Sequence, residues 1–131
     1  MESNREVKAW REVRKKGKWA DALRGLYVFW KVTINFRIQL VFAFLVVLCG
    51  FYFNVSVLEW LALVFSIGLV LVTEALNTAI EIDIDLTSPE YHPFARDTKD
   101  VSAGAVLLSS IVATIIGLII FIPKIMHFWY N

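Results

Sequence analysis

Three apolar runs decide what this chain can become. QLVFAFLVVLCGFYF (residues 39–53) is the heart of the first, the second begins near Val57 and continues through Ile80, and the third is AGAVLLSSIVATIIGLIIFI (residues 103–122). A helix needs roughly 20 consecutive apolar residues to cross a hydrocarbon core about 30 Å thick. The first run is slightly short, so it borrows its first turn from NFR (residues 35–37). The chain therefore reads as an all-α integral membrane protein with three transmembrane helices, spanning about 36–54, 57–85 and 101–122. Its 131 residues allow one compact unit. A content of 58% apolar residues and a mean hydropathy of +0.63 agree with a membrane protein.

Punctuation between the runs is clear. NVSV, with Asn54 and Ser56, makes a short first turn, and LTSPEYHPFARDTKD carries Pro89 and Pro93, which break a continuous helix. Pro123 is expected to stop the third span. Cys49 stands alone in an apolar run, so neither a disulfide framework nor a thiolate metal site is available.

A net charge of +1 hides a strong asymmetry: ten of the 13 Lys and Arg residues lie between Arg5 and Arg37. The first turn carries no basic residue, whereas the second connection carries Arg96 and Lys99. The positive-inside rule then puts the N-terminus and the 86–100 loop in the cytoplasm and the C-terminus outside, as three spans require. Residues 1–35 read as a basic tether followed by an amphipathic helix, and residues 36–131 as the three-span domain. Within the first part, Trp19, Leu23, Leu26 and Trp30 recur at spacings of four, three and four, with Lys18, Arg24 and Lys31 around them. Such a helix lies in the membrane interface. The run RKKGK reads as a tether attracted to anionic lipid rather than a nucleic-acid site, because no nucleic-acid motif accompanies it. No secretory cleavage site follows the basic segment.

The costly feature is EALNTAIEIDID, residues 74–85, which follows the second apolar run directly. With Glu74 set at zero on a helical wheel, Asn77 falls at about −60°, Glu81 at about −20°, Asp85 at about +20° and Thr78 at about +40°. These residues form one stripe; Asp83 points the opposite way. Counted from Val57, Glu74 lies about 26 Å along at 1.5 Å per residue, near the inner interface. Ionisable groups at such depth face a bundle interior, a partner or a cavity. Pairing with Arg37, Arg96 or Lys99 would serve packing alone. A file of like charges on one face, however, calls for a cation. Mg²⁺ suits it, because that ion favours one or two carboxylates completed by phosphate oxygens. Lys99 and Asp100 stand where the chain re-enters the membrane: the lysine is placed to meet phosphate, and the aspartate to hold a metal, a ribose or the lysine. His92, between Tyr91 and Pro93, reads as structural. The familiar phosphate loops GxxxxGK[ST] and GxGxxG are absent, as is HExxH.

EALNTAIE (residues 74–81), SPEYHP (88–93) and RDTKDVSAGAVL (96–107) together resemble the signature of the prokaryotic diacylglycerol kinase family. The likeness extends through EWL (59–61), NFRIQL (35–40) and, more loosely, LRGL (23–26), covering roughly residues 19–125. The SPEYHP loop, GAVLL and FIPKI are most similar to the Gram-positive branch, whose enzymes are typically undecaprenol kinases. The resemblance implies a homotrimeric bundle in the bacterial plasma membrane, with active sites shared between subunits. It implies transfer of the γ-phosphoryl of MgATP to the primary hydroxyl of a membrane lipid, with undecaprenol favoured over diacylglycerol. It assigns Glu74 as the base, Glu81 as the Mg²⁺ ligand, and Asn77, Lys99 and Asp100 as nucleotide-binding residues, with weaker matches at Glu90 and Arg14. One departure stands out. Where the family carries a second metal-binding glutamate, this sequence has Thr33. Two other readings compete: a small cation-coupled transporter using Glu74, and a family member that binds lipid with weakened catalysis, which Thr33 favours.

Overall fold

The computed structural model describes residues 18–130 and is helical throughout, with no strand among the described residues. Among the described residues four helices follow one another: α1 (Lys18–Val32), α2 (Ile34–Tyr52), α3 (Val57–Thr87) and α4 (Pro93–Tyr130). The chain forms two units, residues 1–33 and residues 34–131.

In the first unit, α1 exposes Trp19, Leu23, Leu26 and Trp30. Asp21 sits in its first turn and Lys31 in its last, each complementing the helix dipole. Arg14 and the basic tether lie outside the described residues.

The second unit contains the three long apolar helices, each long and apolar enough to cross a membrane. α3 packs along α4 over much of its length, and α2 meets α3 more sparsely. The α2–α3 turn is defined by local chemistry. Asn54 adopts a left-handed conformation (φ 48°), which asparagine tolerates better than most residues. Ser56 then caps α3 in a reciprocal box: its Oγ accepts from the Glu59 N–H, and a Glu59 carboxylate oxygen accepts from the Ser56 N–H at 2.6 Å. The approach of the two helices is close at Gly50, where an added Cβ would lie 2.6 Å from the Trp60 ring. Val55, Leu63 and Ile120 form the buried core at this end, with Val46, Trp60 and Phe121 against them.

α4 is longer than the sequence punctuation suggests. Pro93 opens it rather than preceding it, as suits a residue whose missing N–H is not needed in a first turn. RDTKD is consequently helical, and the connection between α3 and α4 shrinks to residues 88–92. Pro123 does not stop the helix either, which runs on to Tyr130. A proline removes one intrahelical bond, but contacts with the first hairpin secure the turns beyond it. Lys124 Nζ lies 3.1 Å from Glu59 Oε2, and the Phe128 ring meets Tyr52 and Phe53 edge-on.

The isolated chain buries little of its apolar surface: less than a fifth of each span's most apolar window is covered. Phe42, Phe65, Leu107 and Ile119 all stand exposed. In a membrane that surface faces acyl chains or other helices, and burial inside one chain is not required. What the chain does bury is unusual. Glu74, Asn77, Ser66, Thr78, Ser102 and Ser109 outnumber the fully buried apolar residues of the second unit.

Candidate functional site

Four of the buried polar groups, Glu74, Asn77, Thr78 and Ser102, lie in the half of the α3–α4 pair nearer the 88–92 connection. Glu74 is 1% exposed, the most completely buried large side chain in the described chain. Its Oε2 accepts a hydrogen bond from Gln39 Nε2 of α2 at 3.0 Å, while its Oε1 is buried without a partner. An unpaired polar atom costs most where water is excluded, so such an orphan marks a place where another group is expected. Thr78 Oγ1 donates back to the Glu74 carbonyl at 3.0 Å, satisfying its own hydroxyl within the helix.

One turn on, Asn77 ties α3 to α4. Its Nδ2 donates to Glu81 Oε1 at 3.1 Å, and its Oδ1 accepts from Ser102 Oγ at 2.6 Å. The amide orientation follows from chemistry: only the NH₂ side can face a carboxylate, which leaves the oxygen for the serine. Ser102 Oγ also lies 2.8 Å from the Lys99 carbonyl, so Asn77, Glu81 and the lysine backbone form one linked set. Beside Asn77 and Ser102, a cleft of 520 Å³ opens between α3 and α4, lined also by Thr73, Phe94, Asp97 and Thr98.

The remaining expected residues divide. Lys99 Nζ lies 2.8 Å from Asp85 Oδ1, not against Asp100. In this arrangement Asp85 is the lysine's counter-ion. Asp100 faces Arg96 at 3.6 Å, one helical turn back, on an exposed surface. Glu90 lies exposed in the short 88–92 connection. Thr33 falls at the break between α1 and α2, its N–H bonded to the Phe29 carbonyl at 3.1 Å. Gln39 and Ser102 were not evident as site residues. Each left a faint signal: Gln39 is the one amide inside the first apolar run, and Ser102 lies seven residues before Ser109 on the α4 side that meets α3. Ser109 repeats the motif two turns further, with its Oγ 2.8 Å from Thr73 Oγ1.

The donor set bears on Mg²⁺. No cluster of three or more His, Cys, Asp or Glu side chains exists among the described residues, so these residues alone build no all-protein cage. Glu81, whose Oε1 is bonded only to a neutral amide, offers a single carboxylate. That suits an ion arriving with phosphate oxygens, for which one carboxylate is enough.

Three helices able to cross a membrane, a buried acid and amide on one face of α3, and a lysine paired with the last carboxylate of that face are the setting of a small membrane enzyme. The particular family is clear: the family model described as prokaryotic diacylglycerol kinase matches residues 20–121, and the chain belongs to that family. It is 39% identical over 107 residues to the undecaprenol kinase of Bacillus subtilis, an alignment covering 82% of this chain and 87% of that protein. It is also 35% identical to the diacylglycerol kinase of Escherichia coli K12, over 70% of this chain and 75% of the relative. The Helicobacter pylori diacylglycerol kinase (strain 26695) is 33% identical, over 70% and 72%. The chain is a lipid kinase, and the cation-coupled transporter reading loses its footing.

Proposed function

We propose that this chain is an ATP-dependent lipid kinase that phosphorylates the primary hydroxyl of a membrane lipid, with undecaprenol the favoured acceptor. One observation carries the reading: a buried carboxylate with an unpartnered oxygen shares a helix face with the Asn77–Glu81 pair, beside Lys99. Glu74 Oε1 accepts the proton of the lipid hydroxyl. The hydroxyl oxygen then bonds to the γ-phosphorus, and the bond to the β–γ bridging oxygen breaks, its electron pair leaving with ADP. Asn77 holds Glu81 in place, and Lys99 exchanges Asp85 for phosphate oxygens as a point charge. Asp100, Glu90 and Arg14 complete the nucleotide's surroundings in this reading. Bound Mg²⁺ would supply charge neutralisation on the phosphates, with Glu81 as its protein ligand. Phosphoryl transfer needs little more than such positioning and charge compensation.

The burial of Glu74 suits the acceptor. A lipid alcohol reaches this depth by lateral diffusion, whereas water, the competing acceptor, is scarce there. The same reading places residues 1–33 and the 88–92 connection on the cytoplasmic side of a bacterial plasma membrane, with α1 in the interface and Tyr130 outside. It makes the working unit a homotrimer, whose other subunits cover much of the exposed helix surface. Undecaprenol is preferred because the B. subtilis relative aligns over a larger share of both chains.

The experiment is transfer of labelled phosphate from ATP to undecaprenol and to diacylglycerol in mixed micelles. The expected result is faster labelling of undecaprenol. A reversed preference overturns the acceptor assignment, and label in neither lipid with folded protein and ample Mg²⁺ overturns the kinase reading for both. The weakened-catalysis alternative rests on position 33, where threonine stands in place of an acid. Thr33→Glu is expected to lower the Mg²⁺ concentration giving half-maximal rate severalfold. An unchanged Mg²⁺ titration would remove position 33 from any account of the metal.

A further inference from the structure

Gln39 is an amide in an otherwise apolar stretch of α2, and its placement is specific. Its Nε2 reaches across to α3 and donates to Glu74 Oε2 at 3.0 Å, over 35 positions of sequence. The surroundings offer that amide few alternatives. Gln39 borders a groove of 490 Å³ lined largely by apolar side chains such as Phe42, Val46 and Leu71. The two hydroxyls in that lining, on Ser110 and Thr114, donate to the carbonyls of Val106 and Ser110 in their own helix. Glu74 is equally constrained: its carboxylate has Gln39 on one oxygen and nothing on the other, at 1% exposure.

We infer that Gln39 is a positioning residue for phosphoryl transfer, fixing the Glu74 carboxylate so that Oε1 faces the acceptor hydroxyl. The inference rests on the reading of Glu74 as the proton acceptor. A glutamate side chain ends in a carboxylate that turns easily about its last bond, a broad and roughly two-fold torsion. One N–H donor on Oε2 restricts that rotation and thereby sets the direction of the free oxygen's lone pairs. A neutral donor is the appropriate kind. A lysine or arginine would form a buried ion pair and make a carboxylate a poorer proton acceptor, whereas an amide orients it with no added charge. Gln39 touches neither lipid hydroxyl nor phosphate in this account; it acts only through Glu74.

The test uses the full chain in micelles with undecaprenol and MgATP. Gln39→Leu removes the donor at similar size, and kcat is expected to fall about 10- to 100-fold, as small misplacements of a reacting group do. KM for MgATP stays within about twofold, because the nucleotide side is untouched. Gln39→His restores a ring N–H at comparable reach and is expected to recover most of kcat. If the leucine variant does not fold, Gln39→Met provides the same loss of donor on an unbranched chain. Full kcat in the variant lacking the donor, equal losses with leucine and histidine, or a KM for MgATP rising in step would each overturn the positioning role. Glu74→Gln in the same assay separates the two ideas. If that variant is inactive while Gln39→Leu is unimpaired, only Gln39 is dismissed; if Glu74→Gln turns over normally, the base assignment itself falls. In the double variant, Gln39→Leu is expected to add no further loss to Glu74→Gln, since it has nothing left to orient.

Discussion

Glu74→Gln is expected to reduce phosphoryl transfer by about 10²- to 10⁴-fold, the range associated with removal of a general base. The substitution is almost isosteric, and the glutamine's oxygen can still accept from Gln39 Nε2, so the buried hydrogen bond at 3.0 Å survives. What disappears is the ability of the free oxygen to take a proton. Binding of MgATP should be unaffected, because the contacts assigned to the nucleotide lie one turn and more away, at Asn77, Glu81 and Lys99. The thermal midpoint is expected to hold or rise. A buried carboxylate with one unpartnered oxygen carries an uncompensated desolvation cost, and replacing it with a neutral group relieves that cost. Steady-state labelling of undecaprenol, ATP titration and thermal unfolding on one preparation give all three readouts. Retained turnover would exclude Glu74 as the base, and lost ATP affinity would mean the residue serves the nucleotide instead.

The contrast between that carboxylate and its neighbours shows what a sequence can display. The stripe of Glu74, Asn77, Glu81 and Asp85 is visible because a helix imposes a fixed angle per residue. Four polar groups within one local segment can therefore be assigned to a face before any tertiary contact is known. Even the outlier Asp83 separates by the same arithmetic. The partners are another matter. Gln39 is 35 residues from Glu74, and Ser102 is 25 from Asn77, so only the packing of α2 and α4 on α3 makes them neighbours. Lys99 illustrates the ambiguity. Adjacent Asp100 has several roles open to it on paper, as a partner of the lysine, a metal or a ribose, but successive helical residues diverge by about 100°, which turns Asp100 back toward Arg96 and leaves Lys99 for Asp85. Pro123 was misleading for a related reason. Its local cost to a helix is real, yet the Glu59–Lys124 ion pair and the contacts of Phe128 come from the far end of the first hairpin. No local rule contains them.

Glu81→Gln is expected to fail differently from Glu74→Gln, and the difference identifies which acid serves which substrate. Its Oε1 accepts from Asn77 Nδ2 at 3.1 Å, a bond that a glutamine oxygen can also accept. The loss is therefore one of charge rather than of shape. If Glu81 is the protein ligand of Mg²⁺, the affinity for MgATP falls and the Mg²⁺ requirement rises, with kcat/KM reduced by about 10²-fold or more, as expected when a metal's charge stabilisation of several kcal/mol is compromised. Excess Mg²⁺ should recover part of that loss, whereas it should do nothing for Glu74→Gln, whose defect is in proton transfer. Thr33→Glu provides a second lever. Introduced alongside Glu81→Gln, it should return some Mg²⁺ affinity only if position 33 and position 81 serve one ion. A Glu81→Gln variant with unaltered Mg²⁺ dependence would mean that the carboxylate merely fixes the Asn77 amide. The metal would then have to be held by phosphate and by groups other than this stripe.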